Sequence, residues 1–359
     1  MQNNQVIPFN KDNFKQILSI KFLLVLVVSF PSALIADFLN LPLAWFLGPM
    51  LATSLAALLG LKIIIPRLVL ASILILLGLY IGNYIDKDLF SQIHEWAFTS
   101  LIMFVYILAS IFIVSKYLQN FSKYEKKTSI FSAAPGALGP LMILAEDQKS
   151  DLSHVATAHL IRLIIIVTIF PFFVNSFYNV ESIDNINIII GDQNEYQLLI
   201  LIIFSLILIF LFDKIKFPAA LLSGTLVAST LLQITDIASY KITPDVVNYC
   251  LLILGASVGC RFADKSFKEI IKNTFHSFVA TILLVFLGLL AALVASLIID
   301  KNIFTLILSY CPGGIYEVAV IAIFFDLDPE FVTFHHIIRL LMILFVVPVI
   351  LKIIQKKNP

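Results

Sequence analysis

Pro135-Gly136-Ala137 and Pro312-Gly313-Gly314-Ile315-Tyr316-Glu317 are the two stretches whose reading decides the fold of this chain. Each interrupts apolar sequence, and adding 177 to a residue number carries Pro135-Gly136 onto Pro312-Gly313. The same shift carries Asp151 to Asp328, His159 to His336, Arg162 to Arg339 and Pro171 to Pro348, and upstream it carries Gly78 and Gly82 to Gly255 and Gly259. No gap is needed over roughly ninety positions, so the chain is an internal duplication of one structural unit. The copied residues are glycine, proline and ionisable side chains set in apolar sequence, which is where a site is expected.

Composition identifies the solvent of that unit. Hydrophobic residues make up 60% of the chain, 31 residues are Phe and only 13% are charged, against about a quarter charged in soluble domains. Mean hydropathy is +0.99. Apolar stretches approaching the roughly 20 residues of a spanning helix recur from end to end, among them Phe22 to Leu39, Phe98 to Val114, Leu198 to Phe212, Phe278 to Ile299 and Ile337 to Ile354. These features predict an all-α polytopic membrane protein whose partner is the lipid bilayer. A net charge of +1, without a basic stripe interleaved with aromatics, argues against nucleic acid. Residues 1–17 are polar, with Lys11 and Lys15 ahead of an apolar run lacking an Ala-x-Ala pattern, and read as a cytoplasmic segment before an uncleaved first helix. Cys250, Cys260 and Cys311 lack C-x-x-C spacing and read as small core residues.

The duplication divides the chain into repeat 1 (18–176), a polar linker (177–196), repeat 2 (197–354) and a short tail (355–359). Each repeat opens with an apolar helix and then a Pro-led element: Pro42-Leu43-Ala44-Trp45-Phe46-Leu47-Gly48-Pro49 in one, Pro218-Ala219-Ala220-Leu221-Leu222-Ser223-Gly224 in the other. Equivalent loops carry opposite charge bias. Lys116, Lys123, Lys126 and Lys127 in repeat 1 face a counterpart with only Lys301, whereas Asp86, Asp88 and Glu95 face Lys265, Lys268 and Lys272. Short loops rich in Lys and Arg stay cytoplasmic, so the two copies are predicted to point opposite ways. Inversion requires an odd number of crossings per copy, and about five spanning helices plus one re-entrant or broken helix at the Pro-Gly segment satisfy it. On this reading the protein is a multi-pass protein of the cell (inner) membrane with cytoplasmic N- and C-termini.

Irregular backbone at membrane depth is tolerated only where it is buried in protein or lines a cavity. Two matched breaks therefore predict a central cavity, although a lone break would read as a kink. A half-helix starting after each break aims free N–H groups and a partial positive charge at an anion. After each break comes one helix face, Asp151, Val155, His159, Arg162 or Asp328, Val332, His336, Arg339, at spacings that share a side. The aspartates read equally as helix caps, the histidines equally as satisfied core residues, and the arginines as buried charges or as side chains snorkelling to an interface. Glu317 has Pro140 as its counterpart, so an ion site using it exists once. The candidate substrate- or ion-binding residues are Pro135, Gly136, His159, Arg162, Pro312, Gly313, Gly314, Glu317, His336 and Arg339. Gly48, Pro49, Gly78, Gly82, Gly224, Gly255 and Gly259 are assigned to helix packing or breaks.

The Pro-x-x-Trp-x-Leu-Gly-Pro segment (Pro42 to Pro49) and the Pro-Gly-Gly-x-x-Glu segment followed by His-x-x-Arg resemble the AbrB-duplication membrane family, labelled either an ammonia monooxygenase or an AbrB-type regulator. Repeat 1 departs from the pattern at Ala137 and Pro140. The label implies gene regulation or a membrane oxygenase, but no Cys/His/Asp cluster has metal-ligand spacing, no DNA-binding domain is present and no Walker A loop is found. The family's build is similar to that of inverted-repeat secondary transporters. The reading is therefore a non-enzymatic secondary transporter of a small anionic organic solute, with a proton or sodium ion as the coupling ion and no cofactor. A membrane regulator is the alternative and the oxygenase a third, and homo-oligomerisation is left open.

Overall fold

The computed structural model describes residues 11–82, 89–136, 138–177, 195–217, 219–238, 244–263 and 267–357. Ala137, Pro218, Asp86, Asp88, Lys265, most of the linker and the chain's first ten residues lie outside the described residues. Among those described, the regular elements are all helices. In order they are α1 (Lys11–Ile17), α2 (Ile20–Phe38), α3 (Ala44–Leu58), α4 (Arg67–Gly82), α5 (Leu89–Phe121), α6 (Lys126–Ala133), α7 (Leu138–Asp147), α8 (Leu152–Phe177), α9 (Glu195–Lys214), α10 (Ala220–Ile234), α11 (Pro244–Cys260), α12 (Phe267–Ala295), α13 (Ile303–Tyr310), α14 (Ile315–Phe324) and α15 (Pro329–Lys357). Six are long and apolar enough to cross a membrane, namely those containing Ile20–Phe38, Trp96–Phe121, Leu152–Phe177, Tyr196–Lys214, Thr274–Ala295 and Pro329–Ile354. Large apolar side chains such as Leu199, Ile203, Phe210, Phe112 and Phe286 lie exposed on them, as expected of surface that meets lipid.

The helices repeat as the sequence does. α13, α14 and the start of α15 fall 177 positions beyond α6, α7 and the start of α8, and α10 falls 176 beyond α3. Even the backbone preceding α3 and α10 repeats, with Leu43 and Ala219 both left-handed at φ 52.

The chain forms two compact units that do not follow the repeat boundaries. The first is built from Met1–Leu89, Pro171–Lys265 and Ile323–Phe325 and holds α2, α3 and α4 from repeat 1 with α9, α10 and α11 from repeat 2. Here the repeats exchange partners: α4 packs on α10 and α11 packs on α3. Gly78 and Gly82 share one face of α4, as Gly255 and Gly259 share one face of α11. A Cβ at Gly78 would lie 2.6 Å from Leu222 O, at Gly82 2.7 Å from Leu226 O and at Gly259 2.5 Å from Ser54 N, and at Gly255 it would collide with Phe46 O. Small residues at this spacing let helix backbones touch, which substitutes for the hydrophobic force that lipid removes. Cross-helix hydrogen bonds accompany the contacts, from Thr53 Oγ1 to Ala256 O (3.3 Å) and from Ser229 Oγ to Leu79 O (3.1 Å). Gly48 seats α3 against Ser32 and Ala36 of α2, and Gly224 seats α10 against Ile209 of α9.

The second unit comprises Phe90–Phe170, Ser266–Ala322 and Asp326–Pro359. Val114 and Leu118 of α5, Ala133 of α6, and Ala280 and Leu284 of α12 form one of its buried clusters. At another point Trp96 packs edge-on to Phe331 with ring centroids 5.3 Å apart, and Tyr310 Oη donates to Thr99 O at 2.7 Å. The ten candidate binding residues all fall in this unit, and the seven packing positions all fall in the first.

The glycine contacts of the first unit set a test. Gly255→Leu forces α11 off α3, an overpacking cost of about 1–3 kcal/mol that lowers the melting temperature of the detergent-solubilised protein, whereas Leu297→Ala at a position 84% exposed leaves it unchanged. Equal melting temperatures for both would remove the close contact from the account.

Candidate functional site: a duplicated helix break held by histidine and arginine

Proline builds the site. The residue before a proline is pushed out of the α region, and Ala134 (ψ 125) and Cys311 (ψ 131) are both extended, so α6 and α13 stop at equivalent places. Proline also lacks an N–H, which leaves the carbonyl four residues earlier without its helical donor. Those carbonyls belong to Phe131 and Leu308. Both residues are deeply buried, where an unpaired carbonyl costs about 1–3 kcal/mol; Leu308 O keeps one backbone donor, Cys311 N at 3.2 Å, whereas the matching N–H of Ala134 goes to Ile130 O.

The His-x-x-Arg pairs meet this demand in the same way twice. His159 Nε2 donates to Phe131 O at 3.0 Å, and His336 Nε2 donates to Leu308 O at 3.1 Å. Arg162 Nη1 donates to Ala134 O at 3.0 Å, and Arg339 Nη1 donates to Cys311 O. Each pair also bonds within itself, Arg162 Nη2 to His159 Nδ1 at 2.5 Å and Arg339 Nη2 to His336 Nδ1 at 2.9 Å. A ring that donates from Nε2 to a carbonyl and accepts at Nδ1 from a guanidinium is neutral, so the bonding pattern assigns the tautomer. All four side chains are buried, Arg162 and Arg339 at 3% and 2% exposure. They do not snorkel. Their cationic ends lie at the C-termini of α6 and α13, where a helix dipole favours positive charge.

The two breaks also meet. Gly136 takes φ +103, a conformation L side chains rarely adopt, and a Cβ there would lie 3.0 Å from Arg339 Nη2 and 3.2 Å from Arg339 Nε. The short segment Ala134–Gly136 therefore carries Arg162 at one end and Arg339 against the other. A Cβ at Gly313 would in turn reach Ile166 of α8 at 3.5 Å.

Beyond the breaks, α7 starts at Leu138 and α14 at Ile315. Glu317, 2% exposed, folds back over Gly314, and a Cβ on Gly314 would collide with its Oε2. A Glu at the third helical position returning to the cap residue is a capping arrangement, so the N-terminus of α14 is covered by the chain's own carboxylate. The corresponding position in α7 is Pro140, which brings no charge.

The aspartates diverge. Asp151 caps α8, with Oδ1 accepting from His154 N at 3.1 Å and Oδ2 lying 2.7 Å from the His154 ring. Burial alone would raise its pKa, but the hydrogen bonds from His154 outweigh this and hold it below the ordinary carboxylate value. The Asp328 carboxylate instead accepts from Lys301 Nζ at 3.0 Å and from Thr305 Oγ1 at 3.2 Å, tying α15 to the start of α13, whereas Asp151 meets the matched threonine through its backbone, its N–H donating to Thr128 Oγ1 at 3.1 Å. His335 bonds Thr99 Oγ1 at 2.8 Å and the Phe331 carbonyl at 2.9 Å, facing away from the break.

Fold and site together define an all-helical, membrane-type protein with a duplicated broken-helix centre. The chain belongs to the family described as "Transition state regulatory protein AbrB", which matches residues 45–355. It is similar to "Uncharacterized protein YhjN" of Bacillus subtilis (strain 168), at 21% identity over 76% of this chain and 75% of that protein. It is also similar to "Putative regulator AbrB" of Escherichia coli (strain K12), at 22% identity over 87% of this chain and 90% of that one. No solved structure matches the chain.

Because Arg339 makes three hydrogen bonds through a planar fork that Lys cannot reproduce, Arg339→Lys loosens the second break. Hydrogen exchange across residues 308–314 rises by roughly tenfold or more, the scale of a lost charge-assisted bond, with α3 and α11 unaffected. Unchanged exchange at 308–314 would show that the guanidinium does not hold the break.

Proposed function

We propose that the protein is a secondary transporter of a small anionic organic solute. The observation that carries this reading is the meeting of two buried guanidiniums at two helix breaks. Their described hydrogen-bond partners are carbonyls and imidazoles, with no carboxylate among them. Ionisable groups at membrane depth mark substrate and ion pathways, and discontinuous helices are how carriers build midplane sites. The duplication gives two related halves, and the lysine bias of equivalent loops supports placing them in opposite orientation, with the N- and C-termini cytoplasmic in an inner membrane. Glu317, present once, is the residue we assign to a coupling proton or sodium ion. No catalytic role is assigned to any side chain.

A second reading, a membrane regulator that senses a solute and acts through a partner, is favoured by the names of the family and of the Escherichia coli relative. It would use the same site for binding without net flux.

Reconstitution separates the two. Proteoliposomes containing the full chain should take up labelled organic anions saturably, with uptake lost in Arg339→Ala and its ion dependence lost in Glu317→Gln. Anion binding by the purified protein with no flux above protein-free liposomes would favour the regulator.

A further inference from the structure

We infer that Arg162, Arg339 and the hydroxyl of Tyr106 form one anion seat, and that it takes a single monocarboxylate per chain. This rests on the reading of the protein as a handler of organic anions and adds the substrate class, the stoichiometry and a residue that the duplication hides.

The first argument is the count of donors. A guanidinium has five N–H groups. Arg162 uses two of its five, on Ala134 O and His159 Nδ1. Arg339 uses three, on Cys311 O, Gly313 O and His336 Nδ1. Among the described residues the remaining N–H groups have no acceptor, and unused donors on buried cations call for an acceptor that the chain does not supply.

The second argument is position. Arg162 at Ala134 and Arg339 against Gly136 stand at the two ends of one short break, close enough to interact electrostatically with each other. Tyr106 of α5, 3% exposed, lies within the same electrostatic reach of both. Its ring packs edge-on to Tyr310, the residue preceding Cys311, with centroids 6.4 Å apart. Its hydroxyl has a long contact to Leu284 O at 3.4 Å and a second neighbour in the Ser110 hydroxyl one turn along α5, neutral partners from which its proton can turn to a charged ligand. On α6, just before the break, Ser132 Oγ is buried without a hydrogen bond. The repeat-2 counterparts of Tyr106 and Ser110 are Leu283 and Leu287, so this pair of hydroxyls exists once, although Ser132 is matched by Ser309. One seat per chain follows.

The third argument is charge. Two guanidiniums face the C-termini of α6 and α13, each worth about half a negative charge, while the starts of α7 and α14 return about half a positive charge each. The Glu317 carboxylate offsets one unit. About one positive charge remains, which a monoanion neutralises and a dianion overshoots.

Titration calorimetry on the full chain in lipid nanodiscs, with propionate and benzoate as monoanions, succinate as dianion and choline as cation, tests the inference. The expected result is one propionate or benzoate per chain and succinate at least roughly tenfold weaker. Tyr106→Phe should weaken the monoanions roughly ten- to a hundredfold, the scale of a hydrogen bond to a charged group, with its melting temperature and that of the control Tyr117→Phe unchanged. Arg162→Lys should lower affinity further, and because Arg162 also holds α6, Tyr106→Phe remains the deciding variant. Two monoanions per chain, tighter succinate, or full affinity in Tyr106→Phe would overturn the inference while leaving anion transport standing. No binding of any of the three anions would overturn both.

Discussion

A buried carbonyl that has lost its helical donor must find another, and this structure is arranged around two such demands. Pro135 and Pro312 end α6 and α13 and free the carbonyls of Phe131 and Leu308. In lipid no water can satisfy them. His159 and His336 do so from the neighbouring long helices, and the arginine one turn later takes the next exposed carbonyl. Break and His-x-x-Arg are thus one device copied twice. Losing the histidine would strip Phe131 O of its described donor and leave Leu308 O with Cys311 N alone, and losing the break would take acceptors from a buried guanidinium, which explains why the duplication preserves them together.

That device brings a chemical by-product. Neutral donors such as Ser or Asn could satisfy a carbonyl, but a guanidinium also imports a full charge and more N–H groups than the break consumes. The helix C-termini absorb part of the charge. What is left over is fixed in place by the imidazole behind each guanidinium, and preorganised donors of this kind bind an anion without the cost of arranging themselves. The glycines keep the geometry tight: Gly136 lets Arg339 come against the first break, and Gly314 leaves room for Glu317 to cover the start of α14. The first unit contributes differently, through helices whose backbones touch at Gly78, Gly82, Gly255 and Gly259, a contact suited to rigidity and not to chemistry.

Much of this was legible in the residues. Hydropathy and the spacing of 177 disclose a duplicated all-helical membrane protein, and the Pro-Gly breaks, the Pro-led helices and the His-x-x-Arg face stand at matched positions. Three things were hidden for physical reasons. The carbonyls that the histidines and arginines bind carry no side-chain signature and become visible only when the proline's lost donor is traced four residues back. The exchange of partners between repeats, and the split into a packing unit and a site unit, depend on contacts about 150 to 200 positions apart in sequence. Tyr106 was missed because comparison of the repeats draws attention to what is copied, and Leu283 stands at its counterpart. Asp151 and Asp328 show the reverse limit: both keep the matched threonine, Thr128 or Thr305, but their carboxylates acquired different partners, His154 in one and Lys301 with Thr305 in the other.

The central claim is that the two helix breaks, held by their arginines, bring two guanidiniums with donors to spare to one meeting point. The most direct measurement is an experimental structure of the full chain with 3-bromopropionate, the bromine located by its anomalous scattering. The account predicts one bromine site per chain in the second unit, its carboxylate within hydrogen-bonding distance of Arg162 and Arg339. A fully occupied bromine site elsewhere in the chain, with both guanidiniums bonded only to carbonyls and imidazoles, would contradict it.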